Sequence, residues 1–177
     1  MNPSDALSQR STNADSELLD RILGHDVWTM REFLAICEQL SEESLDTDFD
    51  IGHRTVRKTL DHMIWNVECW TCLMSHGVVP DRSGDTSIAG LQQRHRTAAE
   101  SFESVSRAAV KSGRLNDEYV DPVDGLQKSI GSTILHIVSH NMHHRAQLLF
   151  MLRRLGVSNL PEGDVLTWEQ QTKEQNL

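Results

Sequence analysis

The chain has 177 residues, of which 38% are hydrophobic and 24% are charged, so it is long enough to form one domain with a substantial apolar core. Its formal net charge is −9, and its sequence pI is near 5.4. Nucleic acids and anionic lipids attract basic surfaces, so this acidic balance argues against either as a partner.

The N-terminal segment and the cysteines indicate the cellular location. Residues 1–14 are polar and lack the apolar core of a secretory signal, so we expect a mobile lead-in rather than an export sequence. No apolar run reaches the roughly 18 residues that a membrane span requires. Cys37, Cys69 and Cys72 are an odd number and are expected to be reduced. We therefore expect one cytoplasmic domain over residues 15–177.

Four segments place apolar residues three and four positions apart, which predicts four helices. These segments are residues 15–40, 56–76, 87–111 and 130–155. Thr55 and Ser129 are predicted to cap the second and fourth helices, because a hydroxyl oxygen there accepts from free backbone N–H groups. Gly77 and Gly156 are predicted to end the same two helices.

The connections are polar and contain the proline and glycine residues expected of loops. The connection over residues 115–127 has room for a short extended piece around Tyr119 and Val120. Trp168 lies in an otherwise polar C-terminal tail, which predicts that the tail packs back onto the body. Together these features predict an all-α fold, an up-down four-helix bundle with the C-terminal tail packed on it.

Four histidines lie within nine residues of the fourth predicted helix, namely His136, His140, His143 and His144. His140 and His144 are four residues apart and therefore one turn apart on one face, a spacing with which a helix offers two imidazoles to one metal ion. Helical phase places this pair at the border of the buried face and the other two nearer to solvent. A role as ordinary surface histidines is the alternative for all four, and it suits His136 and His143.

A third ligand is expected on the second predicted helix, where His62 shares a stripe with Asn66 and Cys69. A lone histidine within a helix usually has a hydrogen-bonded structural role, but the His140 pair in the same bundle favours ligation. Three imidazoles leave coordination positions open, which is typical of a catalytic metal, and neutral imidazoles suit Zn, Ni, Fe(II) or Co. Trp65, Asn66 and Cys69 are expected to line the cleft.

Several stretches resemble the DinB-like family, four-helix-bundle metalloproteins of the damage-inducible and bacillithiol-transferase type. I-G-H-R-T-V-R-K-T-L-D-H-M-I-W-N at residues 51–66 resembles the family's second helix, and I-L-H-I-V-S-H-N-M-H-H-R-A-Q-L at residues 134–148 resembles its H-x-x-x-H-R-x-Q segment. H-D-V-W-T-M-R-E-F-L at residues 25–34 and L-P-E-G-D-V-L-T-W-E at residues 160–169 resemble its first helix and its tail. The resemblance covers most of the chain, although Ala146 stands where many relatives have glycine.

The resemblance implies a divalent metal held by His62, His140 and His144. For part of the family it also implies transfer or isomerisation with a low-molecular-weight thiol such as bacillithiol or mycothiol, and often a homodimer formed through helix faces. We therefore expect a metal-dependent enzyme of the thiol S-transferase or hydrolase type that acts on a small molecule. A non-catalytic metal-binding stress-response protein is the alternative.

Two further motifs have structural interpretations. The C-W-T-C motif of Cys69 and Cys72 lies deep inside a predicted helix, so we expect two core residues rather than a redox pair. Arg145 is expected to pair with a carboxylate such as Asp20 or Asp61, with binding of an anionic substrate group as the alternative. The sequence contains no Ser-His-Asp arrangement, phosphate-binding glycine loop or H-E-x-x-H motif, so any transfer or hydrolysis would be centred on the metal.

Overall fold

The computed structural model describes residues 3–161 and 163–175. Within these ranges the chain forms six helices and one two-stranded antiparallel sheet. The helices are α1 Pro3–Cys37, α2 Glu42–Leu45, α3 Val56–Met74, α4 Ile88–Lys111, α5 Ile130–Arg154 and α6 Val165–Gln175. The strands are β1 Glu118–Val120 and β2 Gln127–Ser129, which pair with each other just before α5.

The four predicted helices correspond to the long helices α1, α3, α4 and α5, and the predicted all-α fold is confirmed. Thr55 and Ser129 cap α3 and α5 as predicted, since each hydroxyl accepts from the backbone N–H three residues later. Gly156 follows α5 with a φ of 81°, a left-handed conformation that glycine adopts without a steric penalty. The short extended piece expected around Tyr119 is strand β1.

Helix α1 begins at Pro3, whereas the apolar pattern predicted a start near Asp15. Proline suits the first turn of a helix, because its missing N–H would have no partner there. The side chains of the predicted lead-in, residues 1–14, lie outside the described residues. The boundary between a mobile lead-in and the domain at residue 14 stays a prediction.

The long helices enclose two apolar clusters separated by polar side chains. Helix α4 packs against α1 and α3, and α5 packs against the same two helices. In α5, residues 130–137 contribute to one cluster and residues 148–152 to the other. Where the long helices pass from one cluster to the other, they carry a polar layer of buried side chains, which includes Asp26, Asn66, His95, Asn141, His144 and Arg145. None of the described helices combines the length and apolar character that a membrane span needs.

The C-terminal tail packs against α1, as the position of Trp168 predicted, and it does so as helix α6. The indole ring lies directly over Gly24, where an added Cβ would come within 2.9 Å of the ring atom Cζ2. Beside it, Nε2–H of His25 donates to the carbonyl oxygen of Gly163 at 2.8 Å. Close contact with the ring therefore explains a glycine in the middle of a long helix, where this residue is otherwise unfavourable.

We expect Gly24→Ala to lower the free energy of unfolding in the wild-type background and to raise it in a Trp168→Ala background. The new methyl group collides with the indole ring in the first case. Without the ring, the substitution only removes a helical glycine, which is worth roughly 0.5–1 kcal/mol. Urea unfolding of the four proteins measures both effects, and the same sign in both backgrounds would contradict this packing.

Candidate metal centre

Helices α3 and α5 bring the three predicted ligands together. Nε2 of His140 lies 3.0 Å from Nε2 of His62 and 3.0 Å from Nε2 of His144. Nitrogens bound to one tetrahedral metal ion lie roughly 3.3 Å apart, given metal–nitrogen bonds of about 2.0–2.1 Å. The three side chains are thus spaced closely enough to share one ion after small shifts. That they bind a metal stays a prediction.

A hydrogen bond turns the lone pair of one predicted ligand, His144, toward this point. Nδ1–H of His144 donates to Oε1 of Gln147 at 2.8 Å, which assigns the ring proton to Nδ1 and leaves Nε2 free. The amide Nδ2 of Asn66 donates to Nε2 of His62 at 3.2 Å, so this nitrogen is unprotonated, but Asn66 must release its lone pair before a metal can bind there. An imidazole held through Nδ1 with an unprotonated Nε2 is the usual form of a metal-binding histidine. The donor set therefore fits a divalent ion.

Burial keeps these imidazoles uncharged at neutral pH. Desolvation, followed by repulsion from neighbouring imidazoles, lowers the pKa of His62 to about 3 and that of His140 to about 4. Desolvation also lowers the pKa of His144. Because protons compete with metal ions for the same lone pairs, a low pKa keeps these side chains in the form that binds metal.

A fourth histidine, His53, lies beside the predicted ligands, although no helical spacing links it to them. Its ring stacks on that of His62 with 3.7 Å between centroids, and its centroid lies 5.2 Å from that of His144. One candidate ligand atom from each of His53, His62 and His144 lies within 4.8 Å of the others. The sequence did not predict this position of His53, because helical periodicity gives no information about a residue in a connection. The only local indication was that a histidine stands two residues before the helix cap Thr55.

The connection between α2 and α3 holds His53 in a defined turn. Gly52 and Arg54, on either side of it, have φ values of 50° and 72°. The guanidinium of Arg54 donates to both carboxylate oxygens of Asp48, at 2.9 and 2.7 Å. A Cβ on Gly52 would collide with Oε1 of Gln147, so the turn packs directly on the side chain that orients a predicted ligand of α5.

Comparison with known proteins identifies the family. A sequence model of the DinB family matches residues 10–175. This chain belongs to the DinB family. The match extends over nearly the whole chain, so it includes both helices that carry the histidines.

Three crystal structures share the fold. A DinB-like protein from Bacillus cereus ATCC 10987 matches with a TM-score of 0.60 and 18% identity, covering 79% of this chain and 93% of that one. A DinB family member from Exiguobacterium sibiricum 255-15 has a TM-score of 0.58 and 20% identity, covering 84% and 97%. A DinB-like protein from Bacillus subtilis has a TM-score of 0.58 and 14% identity, covering 81% and 96%. At these identities the likeness shows the fold alone. A search of curated proteins finds no match.

In this DinB chain, the other two histidines of α5 are exposed, as helical phase predicted. His143 accepts a hydrogen bond from Nε2 of Gln147 at 2.9 Å. The ring of His136 stacks on that of His140 with 5.2 Å between centroids. Both side chains therefore border the cluster from the solvent side, and neither is a predicted ligand.

The C-W-T-C motif lies within α3, and its two cysteines are free thiols. Cys69 is buried in the apolar cluster that also contains Leu73 and Ile137. Desolvation raises the pKa of its thiol, so the reactive thiolate is disfavoured. These observations agree with the predicted core role of Cys69 and place it in the core rather than against the imidazoles, whereas Cys72 is only partly buried.

Arg145 forms a buried ion pair with Asp26 of α1, so the predicted structural role is confirmed and the predicted partners were wrong. The two residues are only 5% and 6% exposed, and Nδ2 of Asn141 donates to the second oxygen of the same carboxylate at 2.9 Å. Asp20 and Asp61, the predicted partners, pair with other arginines. Sequence spacing cannot show which carboxylate of a distant helix faces a given side chain.

We expect Gln147→Leu to weaken zinc binding by about 10- to 100-fold, the usual effect of removing a group that orients a metal-binding histidine. Leucine fills similar space but cannot accept the proton on Nδ1 of His144. Isothermal titration calorimetry measures the affinity. Gln170→Leu, an exposed change on α6, is the matched control, and equal affinities for the two variants would show that Gln147 does not orient the ligand.

Proposed function

We propose that this DinB protein is a divalent-metal-dependent enzyme in which His62, His140 and His144 hold the ion. The observation that carries the proposal is the meeting of three Nε2 atoms from two helices, with 3.0 Å between His140 and each of the others. Three uncharged imidazole donors suit Zn²⁺, Ni²⁺ or Fe²⁺. Three protein ligands also leave at least one position for a substrate group, as catalytic sites do.

The chain's own residues position the reactants in this proposal. A bound ion would supply Lewis-acid chemistry, which lowers the pKa of a thiol or a water molecule. Gln147 orients the imidazole of His144 through the hydrogen bond described above. A ligand fixed in this way needs no rearrangement when a substrate binds, and this preorganisation favours catalysis.

An open cavity near the cluster has room for a small molecule, although none of the three proposed ligands lines it. Its volume is about 580 Å³, within the range of small-molecule sites, and its walls include Trp70, Lys128 and His136. The ring of His136 contacts Trp70 edge-on on one side and stacks on His140 on the other. The cavity thus lies one imidazole away from a proposed ligand.

We propose that the reaction is the transfer of a group to or from a low-molecular-weight thiol. Metal-dependent hydrolysis, in which water takes the place of the thiol, is the alternative. The support for a thiol is the resemblance of residues 51–66 and 134–148 to the DinB-like family, part of which uses a low-molecular-weight thiol. We also propose that the protein forms a homodimer, which sedimentation velocity would test, and that it is located in the cytoplasm, which cell fractionation would test.

We expect protein purified without a nickel column to contain about one divalent ion per chain, as three convergent ligands predict. His144→Ala should lose the ion, and His143→Ala should keep it, because the adjacent histidine is exposed and is not a predicted ligand. Elemental analysis by mass spectrometry measures the content. Wild-type protein without stoichiometric metal would overturn the proposal, and loss in His143→Ala alone would show that the ligand assignment is wrong.

We expect the metal-loaded protein to conjugate an electrophilic substrate with at least one low-molecular-weight thiol. Chelator treatment and His140→Ala should both abolish turnover, since each removes the proposed Lewis acid. Product formation with several thiols, followed by mass spectrometry, is the measurement. Stoichiometric metal together with no conjugation or hydrolysis would instead support the non-catalytic metal-binding role.

A further inference from the structure

His53 completes a second triangle of imidazoles on the proposed site. Its centroid lies 3.7 Å from that of His62 and 5.2 Å from that of His144, with interplanar angles of 30° and 48°. The corresponding distances from His140 to these two rings are 5.2 and 4.4 Å. The rings of His62 and His144 are thus shared by two groups of three, one completed by His140 and the other by His53.

The ligand atoms of His53 are close enough to reach the same ion. One ring nitrogen lies within 4.8 Å of candidate ligand atoms of His62 and His144. Because nitrogens around a tetrahedral ion lie roughly 3.3 Å apart, the distances from this nitrogen to those two atoms need to shorten by about 1.5 Å at most for the three to share an ion. In the described part of the chain, the ring of His53 stacks on that of His62 and is tilted against that of His144, and it makes no hydrogen bond that would compete with ligation.

The position of His53 in the fold distinguishes it from the other three histidines. His62, His140 and His144 project from helices, whereas His53 lies in the turn between α2 and α3. Connections are in general more mobile than packed helices, so a ligand in a turn is displaced more easily than one on a helix. Its partial exposure gives it a path toward solvent.

We propose that His53 is a fourth, exchangeable imidazole ligand, which completes a four-nitrogen site in the resting protein and gives up its position when a substrate binds. This rests on the proposed function, since it takes the ion to be held by His62, His140 and His144. In this proposal, His53 occupies the coordination position that those three residues leave open.

Visible absorption of the full-length protein loaded with Co²⁺ tests the proposal directly. Wild-type protein should show the intense bands of a four-coordinate nitrogen site. His53→Ala should change the bands, because solvent replaces the imidazole, and it should weaken Co²⁺ binding by at least roughly tenfold. Added imidazole should restore the wild-type bands in His53→Ala.

Two matched variants separate ligation from stacking. His53→Phe keeps an aromatic ring against His62 but offers no lone pair, so it should change the spectrum as His53→Ala does. His136→Ala removes a histidine that also stacks on a proposed ligand but is exposed, so its spectrum should equal that of the wild type.

The other possible results distinguish a failure of the role of His53 from a failure of the proposed function. Wild-type spectra and affinity in both His53 variants, or in His53→Phe alone, would overturn the role of His53 and leave the proposed function standing. Wild-type protein that binds no Co²⁺ would overturn both. Proton NMR of the Co²⁺-loaded wild type needs no variant: four hyperfine-shifted, exchangeable imidazole signals are expected, and three would overturn the proposal.

Discussion

One buried contact, the ion pair between Arg145 and Asp26, fixes the rotation of α5 about its own axis. Asn141, one turn earlier, binds the second oxygen of the same carboxylate. His140 and His144 precede these two residues by one position each, so they project about 100° away around the helix, where they meet His62 of α3. Loss of one member of a buried pair leaves an unpaired charge, which costs about 3–5 kcal/mol. The direction of both histidines therefore depends on a carboxylate of α1.

The polar layer that contains this ion pair is held in place by the apolar clusters on either side. Desolvation raises the pKa of Asp26 and lowers that of Arg145, while their mutual attraction opposes both shifts. A buried pair of this kind adds little net stability compared with apolar residues of similar volume. It does select one arrangement of the helices, since a different rotation would bury both charges without partners. The pair therefore favours one geometry of the helices while adding little to their stability.

The sequence predicted the positions and buried faces of single helices better than the contacts between different segments. Apolar periodicity located the four long helices, and phase separated His140 and His144 from the exposed histidines of α5. The three candidate ligands lie close together, and their binding of a metal stays a prediction. The partner of Arg145 and the proximity of His53 were missed, because both depend on how distant segments pack. A residue in a turn has no periodicity, and an ion pair across the bundle has no fixed spacing in the chain.

The meeting of His62 and His140 joins residues that are 78 positions apart in the chain. A metal ion bound to both would close a loop of that length in a protein whose three cysteines are all free. By the chain-entropy model of cross-links, a closure of this span stabilises the folded state by roughly 4–5 kcal/mol. The ion would then do for this bundle what a disulfide does for a secreted domain. Unlike a disulfide, such a cross-link forms under reducing conditions and is reversed by a chelator.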